Sequence, residues 1–363
     1  MNNRIVLENL KYRPIRTLLG VIAIGIQVTM VLTLVGLSKG LLQDQKQRAR
    51  GVGADFVVRP PGSSIIGFNA NMPAGILGFV QKQPHIAVAT GVLIQPIGGL
   101  NSVTGIDLPT FLQLGGNFRF NHGGPFQASN DIIIDEYYAT QHKLHVNDTV
   151  KILNKPWRVS GIVEPGVLSR EFVQLSVLQD LTANSGKVSQ IYVKLDDPSR
   201  TDEVIAALKS KLTDYPIYSM EEFSSLFSIS NVPMLSEFIG VVIGLGVLVG
   251  FLVVFLSMYT AVLERTRQIG VLKALGASPG FIISLLIRET TLLALAGSVV
   301  GILLTYLTRW VIKGLVPGSL IQAIVPEWWP IAAAIAIGGA LLGTVYPGLK
   351  AARQDVIEAL AYE

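Results

Sequence analysis

Glu264-Arg265-Thr266-Arg267-Gln268-Ile269-Gly270-Val271-Leu272-Lys273-Ala274-Leu275-Gly276-Ala277 is a short charged segment between two apolar runs, Phe238 to Tyr259 and Phe281 to Thr308. Each run is long enough to cross a bilayer. At about 100° per residue, Ile269, Val271, Leu272 and Leu275 fall within an arc of roughly 160°, with Thr266, Arg267, Gly270 and Lys273 on the other side. That pattern describes a helix lying flat at a membrane surface and offering one face to a partner. A basic loop whose only task is to set topology has the same composition.

Two further runs complete a set of four. Thr17 to Leu37 carries no charge and, at about 1.5 Å per residue, extends roughly 31 Å, the thickness of a hydrocarbon core. Trp328 to Leu349 begins with an interfacial aromatic pair, Trp328 and Trp329. With 50% hydrophobic and 15% charged residues, the 363-residue chain reads as a membrane protein rather than a soluble enzyme. The expected division is a cytoplasmic amphipathic segment (1–16), a first span (17–38), an extracytoplasmic domain (39–236), a second span (237–260), the charged segment (261–279), a third span (280–308), an extracytoplasmic loop (309–327), a fourth span (328–349) and a cytoplasmic tail (350–363).

Orientation follows from the short flanks. Arg4, Lys11, Arg13 and Arg16 precede the first span, Arg265, Arg267 and Lys273 lie between the second and third, and Lys350 and Arg353 follow the fourth. Only Arg309 and Lys313 lie between the third and fourth, so the positive-inside bias puts both termini in the cytoplasm. Lys39, Lys46, Arg48 and Arg50 open a long segment, which translocates largely regardless of charge. The first run is too long for a cleavable signal and reads as an uncleaved anchor. The chain has no cysteine and a net charge of +4, and no basic cluster interleaved with aromatics points to nucleic acid.

Between the first two spans the pattern is α+β. Strands are expected at Ala54 to Arg59, Ile86 to Gln95, Gln190 to Leu195 and Pro216 to Tyr218, and helices at Met72 to Gln83 and Glu203 to Leu212, the latter started by Ser199. Two strand-helix-strand units make one split ferredoxin-like layer (54–96 and 189–219) around a β-rich insert (97–188). The insert carries strand-like runs at Asp131 to Asp135, Thr149 to Leu153, Trp157 to Val163 and Glu171 to Leu175. Helical stalks are expected at 39–50 and 220–236, the second opened by a capping box at Ser219 to Glu222 and interrupted near Pro233.

The domain offers little catalytic chemistry. His142 and His145 stand three apart without the further ligands a metal needs, and Asp135-Glu136 reads as solvated charge because adjacent side chains diverge. No G-x-S-x-G, H-E-x-x-H or G-x-x-x-x-G-K-[ST] occurs, so the chain is not expected to be an enzyme or to hydrolyse ATP by the phosphate-loop route. Inside the spans, Gly240 and Gly244, Gly246 and Gly250, Gly297 and Gly301, and Gly339 and Gly343 have small-x-x-x-small spacing. That spacing permits close helix approach within one bundle or against a second copy. Arg288 and Glu289 are the charges within a span, read either as snorkelling or mutually paired groups or as a transmission element.

The charged segment resembles the E-R-x-x-E-I-G-x-x-[KR]-A-[LI]-G-A signature of the MacB/FtsX-type permease subunits of ABC transporters, with Gln268 where an acidic residue is common. Glu289 matches an acidic position early in the family's third span. Ala351-Ala352-Arg353 through Glu358-Ala359-Leu360 resembles its closing A-A-R-x-x-P-x-x-A-L, with Val356 in place of proline. Arg13-Pro14-Ile15-Arg16-Thr17-Leu18-Leu19-Gly20 is similar to its basic approach to span one. The resemblance covers the whole topology and implies a mechanotransmission-type permease in the bacterial inner membrane. It makes the charged segment a coupling helix docked in a groove of a cytoplasmic ATPase, with Glu264, Arg265, Arg267, Gln268, Ile269, Gly270, Lys273 and Gly276 as the coupling residues. It also implies two permease protomers with two ATPase subunits, ATP and Mg held by the ATPase and no cofactor in this chain. Membrane lipid is a further partner, and a periplasmic adaptor or outer-membrane channel is compatible. Two functions follow: a transporter subunit that exports or extracts a substrate from the outer leaflet or periplasm, and a regulator that activates an outer partner such as a cell-wall hydrolase.

Overall fold

In the computed structural model, which describes residues 14–63, 70–98, 101–228, 233–315 and 321–353, the first span does not end where its hydrophobicity does. Helix α1 (Pro14–Gly51) runs for 38 residues, carrying the apolar stretch on through Lys39 to Arg50. Gln, Lys, Arg and Leu dominate that extension and are good helix formers. An i, i+4 pair, Asp44 to Arg48 at 2.7 Å, ties its last turns together. The chain separates into two units, one built around the spans and one comprising mainly residues 39–233.

In the second unit the order is β1 (Phe56–Val58), β2 (Met72–Pro73), α2 (Gly75–Gln81), β3 (Ile86–Gly98), β4 (Asn101–Ile106), α3 (Leu108–Gln113), β5 (Phe120–Gly123), β6 (Asp131–Asp135) and α4 (Glu136–His142). Then come β7 (Thr149–Ile152), β8 (Lys155–Val163), β9 (Glu171–Gln174), α5 (Leu175–Leu181), β10 (Lys187–Val188), β11 (Gln190–Leu195), α6 (Thr201–Lys211), β12 (Ile217–Ser219) and α7 (Met220–Leu226). The first unit adds α8 (Pro233–Glu264), α9 (Thr266–Ala274), α10 (Pro279–Leu315) and α11 (Trp329–Arg353) to the inner part of α1.

Strands β12, β1, β11 and β3, those of the expected split layer, lie side by side in this order, all antiparallel. The layer and the insert are not separate sheets, however. Strand β3 is 13 residues long; its first part pairs with β11 and its second with β4, so one sheet continues through β9, β6 and β8 to β5. Alternation decides which side chain goes where. Phe56, Val58, Ile191 and Val193 point into a core closed by Val80 of α2 and Val204 and Leu208 of α6. Val57 and Tyr192, on the opposite face, join Phe111, Phe118 and Phe172 in a second core.

Other expectations need correction. The insert contains three short helices, α3 to α5, each too short to give a helical period in the sequence. Asp197, not Ser199, caps the chain before α6, its Oδ1 accepting from the Ser199 N–H at 3.0 Å. Asp135 is buried rather than solvated: it caps α4 by accepting from the Tyr138 N–H at 2.7 Å, while Glu136 is exposed. Ser219 does accept from the Glu222 N–H, but α7 stops at Leu226, and Pro233 opens the next helix instead of interrupting one. The basic residues Arg4, Lys11 and Arg13 and the closing motif from Val356 to Leu360 lie outside the described residues.

All four apolar helices meet the length and hydropathy needed to cross a membrane. Glycine decides how they meet. A Cβ on Gly297 would stand 2.7 Å from that of Ile24, and one on Gly301 would stand 2.6 Å from the Gly25 carbonyl, so α1 and α10 touch through backbone. Thr29 Oγ1 donates to the Gly301 carbonyl at 3.0 Å across the same contact. Gly343 brings α11 against the backbone of α8 at Phe251, Gly339 lies at ordinary distance from Val247, and Gly246 and Gly250 receive Met30 and Gln27 of α1. A Cβ on Gly240 or Gly244 would meet nothing within 4 Å among the described residues.

Candidate functional site

The charged segment folds as the helix α9, set off from α8 by a turn at Arg265. Its end is sharp for a local reason. Gly276 adopts φ +92°, its N–H donates to the Lys273 carbonyl at 2.9 Å, and the Ala277 N–H donates to the Leu272 carbonyl at 3.0 Å. This pair of bonds is a Schellman closure, which favours glycine at that position. Ser278 then starts α10, its Oγ accepting from the Phe281 N–H at 3.2 Å.

Three attachments hold α9 to the spans. Arg265 Nη1 donates to both oxygens of Glu289 on α10, at 3.1 and 3.3 Å, with the two side chains 13% and 5% exposed. Lys273 Nζ donates to the Ala352 carbonyl of α11 at 3.0 Å. Ile269 is buried with Val262, Ile282, Leu286 and Ala351, flanked by Leu272, Ala277 and Phe281. Behind this contact, Thr290 of α10 and Thr344 of α11 share a hydrogen bond of 2.8 Å. Lys350 donates to the Tyr259 hydroxyl at 2.9 Å, linking α11 to α8.

The helix is consequently turned away from the orientation its apolar arc implies. Thr266, Ile269 and Gly270 are buried and Lys273 is half-buried, whereas Val271 and Leu275 are exposed, Leu275 by 81%. The reason is the anchoring: Arg265 and Lys273 reach charged and carbonyl acceptors on the bundle, and Thr266 satisfies itself on the Val262 carbonyl at 3.2 Å. What faces outward is a mixed surface of Arg267, Gln268, Val271 and Leu275, with Glu264 exposed at the end of α8.

The coupling candidates therefore divide. Arg267 and Gln268 are presented outward, while Arg265, Ile269, Gly270 and Lys273 turn inward and Gly276 closes the helix. Glu289 is buried against Arg265, a partner 24 positions earlier that no spacing rule identifies; Arg288 is exposed. Val271 and Leu275 carry no polar signal and were assignable only to the apolar arc. Of the two histidines three apart, His142 lies tilted against Tyr138, with ring centres 4.3 Å apart, and His145 lies beside Asp148.

Residues 17–211 match the family model for the MacB-like periplasmic core domain, and residues 240–356 match that for the FtsX-like permease C-terminal region. The chain is 26% identical over 400 aligned positions to the macrolide export ATP-binding/permease protein MacB of Escherichia coli, covering 99% of this chain and 60% of that protein. It is 28% identical to the uncharacterized ABC transporter permease YknZ of Bacillus subtilis, covering 60% of this chain and 57% of the relative. The chain thus spans about 60% of the length of such curated relatives. Among solved structures, the periplasmic region of MacB from Actinobacillus actinomycetemcomitans matches 47% of this chain and 92% of its own, at 19% identity and a TM-score of 0.37. The extracellular domain of YknZ matches 46% of this chain and 99% of its own, at 12% identity and a TM-score of 0.36. The chain belongs to the MacB/FtsX-type permeases of ABC transporters, multi-pass proteins of the bacterial inner membrane.

Proposed function

We propose that this permease couples ATP hydrolysis by a separate cytoplasmic ATPase to movement of its globular domain on the far side of the membrane. The movement exports or extracts a substrate from the outer leaflet or periplasm. The E. coli relative is named for macrolide export, and an amphiphilic substrate is the corresponding reading here. Both termini and α9 lie in the cytoplasm in this reading, which the basic short flanks support. The protein works as a pair of protomers with two ATPase subunits that bind the ATP and Mg.

One observation carries the reading: α9 presents Arg267, Gln268, Val271 and Leu275 outward while Arg265, Ile269 and Lys273 bind it to α10 and α11. A helix held at its back and bare at its front can receive a push and pass it on. Helix α1 is continuous from Pro14 to Gly51, beyond the end of the first apolar run. Covering Leu275 contributes about 1.5–3 kcal/mol, so Leu275→Asp is expected to weaken ATPase capture by roughly tenfold or more. Arg267→Glu acts in the same direction. Co-purification with the ABC ATPase and stimulation of ATP hydrolysis measure both; unchanged capture and stimulation by folded variants refute the proposal.

A further inference from the structure

Within the globular unit, a cavity of about 70 Å³ has four charged residues in its wall. The last turns of α1 bring Asp44 and Arg48 to it, and the start of β9 brings Arg170 and Glu171. Asp135, the cap of α4, stands just behind: its Oδ2 lies 3.7 Å from Arg48 Nη2, and its N–H donates to the Arg170 carbonyl at 2.8 Å. Arg170 Nη2 lies 3.8 Å from Asp44 Oδ2. Glu171 is fully buried on a strand whose register sets it opposite Ile134, next to Asp135.

The polar atoms of this cluster are incompletely satisfied. Both oxygens of Glu171, Oδ2 of Asp135, Nη2 of Arg48, Nη1 of Arg170 and Oγ1 of Thr104 are buried and make no hydrogen bond among the described residues. Donors and acceptors both remain, in a space that holds two or three waters at about 30 Å³ each, which suits a hydrated site better than a close ion cage. Charge is balanced without Glu171: Arg48 and Arg170 offset Asp44 and Asp135. An ionised Glu171 would add an uncompensated charge where no hydrogen bond supports it.

We infer that Glu171 and the charged groups around it form a proton-binding site that controls how firmly β9 and α4 hold the last turns of α1. Burial, then the charge of Asp135, push the Glu171 carboxyl up to about 8 against the pull of Arg170 and Arg48. Asp135 is raised too, by burial, against Arg48 and the Tyr138 N–H, so the two carboxyls titrate as a pair. From α4, Tyr138 also faces Glu171, and its hydroxyl is pushed up to about 12 by burial and by that carboxyl. When the proton leaves, Glu171 competes for the two guanidiniums. The ion pairs lost first are the long ones between elements, Arg48 with Asp135 and Arg170 with Asp44; the 2.7 Å pair inside α1 stays.

Infrared difference spectra of the full chain in lipid nanodiscs test the site directly. The wild-type protein is expected to show a protonated carboxyl band that disappears with a midpoint near 8, well above an ordinary glutamate near 4.3, and Glu171→Gln is expected to lack it. Hydrogen exchange supplies the conformational readout. Corrected for intrinsic rates, exchange in the segment from Leu41 to Gly51 should rise by up to about tenfold per pH increment of one from the ordinary glutamate range up to the midpoint in wild type, level off above it, and stay flat in Glu171→Gln. A wild-type spectrum without the band at pH 6–7, or a band of unchanged midpoint in the variant, overturns the site. Flat wild-type exchange overturns the control of α1. The wild-type measurements decide even if the variant fails to fold.

Discussion

Removing Glu289 takes from a largely buried guanidinium the carboxylate that meets it. The Arg265 side chain is 13% exposed, and the carboxylate that meets it is 5% exposed, so neither is screened as a surface pair would be. Breaking such a pair costs about 3–5 kcal/mol because the remaining charge stays buried. Here one nitrogen serves both oxygens, at 3.1 and 3.3 Å, instead of two nitrogens meeting them as a parallel fork, which places the cost at the lower end. Glu289→Leu is therefore expected to cost about 3 kcal/mol, roughly a hundredfold in the folded ratio. Arg265→Met with Glu289→Leu replaces the pair by apolar side chains of similar length and should recover most of that loss. Equilibrium unfolding of the four proteins in mixed detergent micelles closes the double-mutant cycle, with an expected coupling of about 2–3 kcal/mol. A coupling below about 0.5 kcal/mol would refute the reasoning, since sites without a shared interaction add to within that margin. If α9 transmits force through this pair, the double variant regains stability but not ATPase stimulation.

Two further outcomes follow from the packing and from the globular unit. Gly297→Leu and Gly301→Leu should each destabilise the bundle by at least about 1–3 kcal/mol by overpacking α1 against α10, whereas Gly240→Leu and Gly244→Leu should leave the melting temperature of the isolated protomer nearly unchanged. Asp131 is buried, and although burial opposes its ionisation, the N–H groups of Gln127 and Ala128 and the Arg158 guanidinium hold its carboxyl below the usual range. Its stabilisation is present above the unfolded value near 3.9 and lost as pH falls through the lower folded one. Asp131→Asn should accordingly flatten acid unfolding below about pH 4 while lowering neutral stability by about 2 kcal/mol, as read by thermal melts across pH.

Much of the architecture was legible without coordinates because its causes are local. The spans are announced by length and apolarity, and β6 and β11 match their expected ranges to the residue because short β-branched runs between turns admit little else. The split layer was readable from two strand-helix-strand units in sequence. Its fusion with the insert was not, since that depends on β3 being long enough to pair with β11 at one end and β4 at the other.

At the functional helix the division is the same. The sequence alone determined that residues 264–277 form an amphipathic segment between two spans, because helical periodicity is written within a few neighbouring residues; the positive φ that makes Gly276 its end is a finding of the structure. Only tertiary structure decided which face is buried: Arg265 finds Glu289 and Lys273 finds the Ala352 carbonyl on other helices, Ile269 packs between them, and Val271 and Leu275 stay exposed. Likewise, Asp44, Arg48, Asp135, Arg170 and Glu171 are ordinary charges along the chain. The fold gathers them around one cavity, where distance and desolvation, neither of which a linear sequence contains, give them a shared titration.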